Sequence, residues 1–172
     1  MRANTLLAFL LWTPFCMPAF AQSYPDSTSL KGLKGVMVRT FTERPLSDRA
    51  FREKVEMRLT RSGVSVLTEK EGESTPGAPS LALNVFVVCD GETATCAWHV
   101  RLQLSQDVRL ARDPQIVTRG ITWENSYTRS FGNSGTVAQP TLSFASTALL
   151  TVDVGTLVEG FVNDMLAANR VK

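Results

Sequence analysis

The sequence predicts an α+β domain: a two-layer sandwich in which two helices lie on one face of a mainly antiparallel sheet, in the order β-α-β-β-β-β-α. Three observations carry that reading. Five stretches rich in β-branched and aromatic residues are either continuously apolar or alternate apolar with polar positions, as strands do. Two other stretches repeat apolar residues at the spacing of a helix face: Phe51, Val55 and Leu59, then Leu150, Val154, Leu157, Phe161 and Met165. The chain has 172 residues, 44% of them hydrophobic and 20% charged, which suits one domain with a substantial core.

The first 21 residues stand apart from that domain. Arg2, an apolar stretch from Leu6 to Met17, and Ala19-Phe20-Ala21 before Gln22 have the make-up of a secretory signal with an A-x-A cleavage site, too short for a membrane span. Cleavage near Ala21 places the mature chain in the periplasm or outside the cell. Cys16 invites a lipoprotein reading, but Thr13-Pro14-Phe15 before it are poor for a lipobox, where small residues precede the cysteine. The 18 basic residues become 17 without Arg2, against 16 acidic ones, so the mature net charge is near +1. Such a balance gives no support for nucleic-acid binding, which needs a strongly basic domain. No later apolar run reaches the roughly 18 residues of a transmembrane helix.

Residues 22–32 are polar and breaker-rich at first and read as a flexible leader, so the domain is expected over 33–172. A first strand is expected at 33–41. A helix follows, with Ser47 as N-cap, Leu46 and Phe51 as its hydrophobic staple, Asp48 in the first turn and Gly63 as its stop. Residues 64–67 give a second strand, and the charged, Gly/Pro-rich stretch 69–80 reads as a connection. Strands three and four form a hairpin around Asp90 to Thr95. Along the fourth, Trp98, Val100, Leu102, Leu104, Val108 and Leu110 share one parity, and His99, Arg101, Gln103, Ser105, Asp107 and Arg109 the other. One face is therefore expected buried and the other wet or occupied by a partner. Arg112-Asp113-Pro114 turns the chain into a fifth strand over 116–127, with Val117, Ile121, Trp123 and Tyr127 at odd positions. After a loop at 130–141, a helix is expected over about 143–169, weakened by Gly155 and Gly160 by up to about 1 kcal/mol each relative to alanine.

Cys89 and Cys96 are the only thiols after Cys16 is removed with the signal. In an oxidising compartment a disulfide is the first expectation for an even pair. They face one another across the hairpin ends, and closing so short a loop contributes roughly 2–3 kcal/mol at most. The C-x6-C spacing differs from the C-x-x-C of a redox pair, and C-x6-C-x2-H with His99 offers three metal ligands at most.

The search for catalytic machinery yields little. His99 is the one histidine, on the polar parity of a strand. A triad of His99, Asp107 and Ser134, suggested by FGNSGT at 131–136, needs a double barrel larger than this chain. LKGLKGV at 30–36 precedes a strand rather than joining one to a helix, and no phosphate-binding glycine motif occurs, so no cofactor is expected. Asp153, Glu159 and Asp164 read as the solvated outer side of the last helix. The row His99, Arg101, Gln103 and Arg109, with Gln106 beside it, is the candidate binding surface, because arginine and glutamine over a sheet can receive an anionic group or a polar peptide edge.

LKGLKGVMV, VEMRLTRSGVSV, ITWE and FVNDMLAANRVK together resemble a group of uncharacterised exported bacterial proteins of about this length. The element order is similar to that of small envelope accessory proteins, such as the LPS-assembly lipoprotein and the auxiliary lipoproteins of transport systems. That resemblance implies a non-catalytic binding or assembly role, with an envelope protein or an anionic envelope ligand as partner. The rival expectation is a small periplasmic hydrolase or metal-dependent enzyme using His99; a third is an inhibitor-like protein with a single tight partner.

Overall fold

The computed structural model describes residues 27–43, 46–90, 95–132 and 144–170. The expected signal, residues 22–26 of the leader, the hairpin tip at 91–94 and Ser134 in its glycine-rich loop lie outside the described residues. A 3-10 turn, Ser27–Leu30, leads into β1 (Gly35–Thr42), α1 (Asp48–Arg61), β2 (Ser65–Val66), α2 (Glu69–Ser74), β3 (Ser80–Asp90), β4 (Thr95–Leu110), β5 (Asp113–Gly132) and α3 (Phe144–Asn169). The strands form one mixed sheet in the order β2-β1-β3-β4-β5. β1 runs parallel to both its neighbours, while β3, β4 and β5 pair antiparallel over much longer ladders. The architecture is α+β.

α1 forms where its caps require. The Ser47 side chain accepts a hydrogen bond from the Ala50 N–H, and Phe51, Val55 and Leu59 are buried along one stripe. Gly63 ends the helix at φ +79°, a conformation costly for residues with a Cβ. Alternation along β1 sends Val36 and Val38 into the same core as that stripe, together with Leu81, Leu83 and Val85 of β3 and Trp98, Val100, Leu102 and Leu104 of β4. α3 closes this layer with Leu150, Val154, Leu157, Phe161 and Met165, and the Phe161 ring meets Trp123 edge-on at 5.1 Å. At Gly155 a Cβ would meet the Arg58 guanidinium of α1 at 2.6 Å, so a side chain there requires that flexible head to move.

Three differences from the sequence reading have clear physical causes. The stretch 69–80 is not all connection: Thr68 and Glu71 form a reciprocal capping box that starts α2. The Thr68 N–H, and after it the Thr68 hydroxyl, donate to the Glu71 carboxylate and hold it below its ordinary pKa. Gly72 of α2 packs against Met37 with no room for a Cβ, and Met37 alternates with the core residues Val36 and Val38. α2 thus covers the start of the face opposite α1 and α3. The second difference is a β-bulge: Leu104 faces Trp123 but Ser105 faces Ile121, so Thr122 is an extra residue on β5. It splits the odd-numbered line, leaving Trp123 buried and Ile121 58% exposed. Third, Asp153 and Asp164 do not lie on a solvated side. Asp153 is 4% exposed and accepts from Trp98 Nε1 at 2.9 Å and from Arg129 Nε and Nη2 at 3.1 and 3.0 Å. Asp164 accepts from Trp123 Nε1 at 3.0 Å. A buried indole N–H needs an acceptor, and α3 supplies one to each tryptophan. The Asp153 hydrogen bond also raises the Arg129 pKa above its ordinary value.

Among the described residues no helix is long and apolar enough to cross a membrane.

Candidate binding face and disulfide

The disulfide is formed. Cys89 and Cys96 are directly opposite in the β3/β4 ladder, with Cα atoms 4.0 Å apart. Their bond closes the hairpin at the end where Trp98, Arg129 and Asp153 meet, so it pins the register on which that network depends.

On the other face of the sheet, β4 presents His99, Arg101 and Gln103. The ladders set each between two partners: Phe86 and Thr128 flank His99, Asn84 and Ser126 flank Arg101, and Ala82 and Glu124 flank Gln103. His99 Nδ1 is 2.8 Å from Thr128 Oγ1, and the Phe86 ring stacks on the imidazole with centroids 6.5 Å apart. Gln103 bridges three strands, accepting from Asn84 Nδ2 at 3.3 Å and donating to Glu124 Oε2 at 2.6 Å. These two rows bracket Arg101. Its guanidinium makes no ion pair among the described residues, and its Nε is buried without a hydrogen-bond partner.

An arginine head presents five donors in a rigid fork suited to a planar anion, and an unmade bond at a buried donor costs free energy until something fills it. Phe86, Val88 and Phe41 add exposed apolar area to the same face, at 41%, 71% and 55% exposure. The face thus combines one unspent cation with apolar surface, the combination that accepts an anionic group carried on an apolar body.

The remaining row members are elsewhere. Arg109 donates from Nη1 to the Pro114 carbonyl at 2.7 Å, at the tip of the β4–β5 hairpin. Eight residues of extended strand separate it from Arg101, roughly 26 Å. Gln106 points to the helix side, where it donates to the Ser29 carbonyl and to Thr122 Oγ1. The sequence reading missed Asn84, Phe86, Glu124 and Thr128, which come from neighbouring strands. The signal for the first two was present, because pairing Cys89 with Cys96 also sets Phe86 against His99 and Asn84 against Arg101. Among the described residues no three His, Cys, Asp or Glu side chains are grouped to hold a metal ion.

No protein-family model and no curated protein matches the chain. Among solved structures it is similar to a hypothetical protein from Chlamydia trachomatis, 14% identical, over 78% of this chain and 94% of that one, with a TM-score of 0.34.

Proposed function

We propose that this chain is an exported, non-catalytic module that binds or assembles an envelope component, and that Arg101 on the face of the sheet opposite α1 and α3 anchors an anionic group of that component. The observation carrying the reading is the unpaired Arg101 guanidinium, held between the His99 and Gln103 rows with a buried, unfilled Nε. The N-terminal 21 residues support export, and a structural disulfide suits an oxidising compartment. The element order, similar to that of envelope accessory proteins such as the LPS-assembly lipoprotein, agrees with a role in binding or assembly.

The test follows the Arg101 Nε–Hε resonance while inorganic phosphate or acetate is added to the isotopically labelled protein. We expect a saturable shift of that signal and of the Asn84 and Ser126 amides, absent in Arg101→Leu. An Arg101 signal that stays fixed at saturating anion, while the protein remains folded, refutes the anchor.

A further inference from the structure

We propose that the pole of the domain at which α1 and α3 end is a docking surface for an anionic phospholipid membrane, with the β4–β5 hairpin as the part that enters the headgroup layer. This goes beyond the Arg101 reading and involves a different part of the molecule. Lys54 of α1 reaches Thr151 of α3, and Arg58 reaches Glu159, so the two helices run in the same direction and end together. At that end Asn169 of α3 holds Leu30 and Gly32, ahead of β1. Gln106 Nε2 donates to the Ser29 carbonyl at 3.1 Å, and the Asp107 N–H donates to the Gly77 carbonyl at 2.7 Å, which brings β4 to the same pole. The β3/β4 ladder stops at Ser80 and Ser105, but the β4/β5 ladder runs on to Leu110 and Asp113. Residues 106–110 and 113–120 therefore leave the sheet as a two-stranded ribbon roughly 17 Å long.

Positive charge gathers on this pole. Lys31, Lys34, Arg61 and Arg170 lie at the ends of the helix layer, Arg109, Arg112 and Arg119 lie on the ribbon, and all are exposed. Among the described residues, the carboxylates on the same segments (27–36, 60–65, 75–79, 106–120 and 166–170) are Asp107 and Asp113 alone. With Glu73 at the end of α2 and Asp164, which accepts from Trp123, counted as well, cations still lead seven to four. Asp107 is already paired with Arg119, and Lys31, Lys34, Arg61, Arg112 and Arg170 make no ion pair among the described residues. Because the chain after residue 21 is nearly neutral, this excess is balanced by carboxylates elsewhere, and the two ends of the domain differ in charge. Helix C-termini favour cations, which accounts for Arg61 and Arg170 but not for those before β1 or on the ribbon. Between Lys31, Lys34, Pro76 and Gln106 a cavity of about 300 Å³ opens with no carboxylate in its lining, room for a phosphate headgroup. The ribbon adds what an acidic protein partner would not require: Ile116 and Val117 stand exposed between Arg112 and Arg119. Cations draw a protein to an anionic leaflet, and apolar side chains among them gain by entering its interface.

The probe is a pair of vesicles, phosphatidylcholine alone and phosphatidylcholine mixed with phosphatidylglycerol, sedimented with the full chain. We expect binding to the anionic vesicles to be at least about tenfold tighter at low salt, and the ratio to collapse at about 0.5 M salt. The apolar stretch over residues 6–17 contributes alike to both vesicles, so the ratio reads the charged pole. Lys31→Glu with Lys34→Glu, and separately Arg112→Glu, should each cut the ratio at least about threefold, whereas Arg49→Glu, at the other end of α1, changes it by less than about twofold. Arg101→Leu should leave it intact, which separates this surface from the anion site. Ile116→Ser with Val117→Ser should weaken vesicle binding at least about threefold and leave binding to polyglutamate unchanged. If a reversed variant does not fold, broadening of the amides of residues 112–118 in the native chain by a spin label on the lipid headgroup carries the test. The proposal is overturned if the ratio is near one, if Arg49→Glu lowers it as much as the lysine pair does, or if those ribbon amides stay sharp on labelled vesicles. It is also overturned if the Ile116 and Val117 variant binds vesicles as well as the native chain, or if polyglutamate displaces vesicles charge for charge, which would make the occupant an acidic polypeptide.

Discussion

Trp98 and Arg101 stand three residues apart on β4 and project from opposite faces of the sheet. The indole N–H of Trp98 meets Asp153, and Arg129 completes the carboxylate's bonding. The guanidinium of Arg101 has bracketing rows on both sides and no acceptor among the described residues. Where a helix covers the sheet, the polar groups beneath it are matched by groups on that helix. Where no described helix lies over the sheet, the strongest donor is left unmatched. A structural polar group and a candidate binding group are distinguished here by what they touch, since both are polar residues on a strand.

The largest effect is expected from Asp153→Ala. It removes the carboxylate that accepts from Trp98 Nε1 and twice from Arg129, and the loss of these charge-assisted bonds in a buried setting amounts to about 3 kcal/mol of stability in a urea titration. Asp153→Asn keeps one acceptor and should lose less. An alanine variant as stable as the native protein would break the contrast between the faces. The double change Cys89→Ser with Cys96→Ser should cost about 2.5 kcal/mol, the loop-closure value for so short a ring, read as a lowered urea midpoint. Because this end of the hairpin positions Arg129 across from Trp98, a loss much larger than that would show that the bond supports the Asp153 network as well. The smallest loss is expected from Arg101→Leu, which removes a buried donor whose bond is unmade and should leave stability unchanged or raise it by up to about 1 kcal/mol. A large loss there would mean that Arg101 holds the sheet together, and the two faces would be alike.

Much of this was legible in local sequence. Ser47, the four-residue apolar spacing and Gly63 define α1, and the two cysteines fix the β3/β4 register to the residue. α2 was legible too, in Thr68-x-x-Glu71, but Gly72, Pro76 and Gly77 nearby resemble the punctuation of a loop. Gly72 is there because Met37 leaves no space for a Cβ, a fact that only packing reveals. The bulge at Thr122 leaves no mark in the pattern, since the odd-numbered apolar residues continue through it. The partners of Asp153 and Asp164 were hidden for a related reason. They are tryptophans 55 and 41 residues away, and helical spacing says where a carboxylate sits on a helix without saying what sheet lies under it. Of the candidate row, parity placed His99, Arg101 and Gln103 together; it also joined Arg109, because parity records the face and not the distance along the strand.

Asn169, in the last turn of α3, donates to the Leu30 carbonyl at 2.9 Å and accepts from the Gly32 N–H at 2.7 Å. Leu30 is fully enclosed, in the same core as Met165. The first and last described elements of the chain are therefore neighbours, and a core residue near the beginning waits for atoms made near the end. Until α3 has docked, the compartment around Leu30 stays open. The last helix and the first turn thus complete one compartment together, and without α3 the apolar face of the sheet would be exposed.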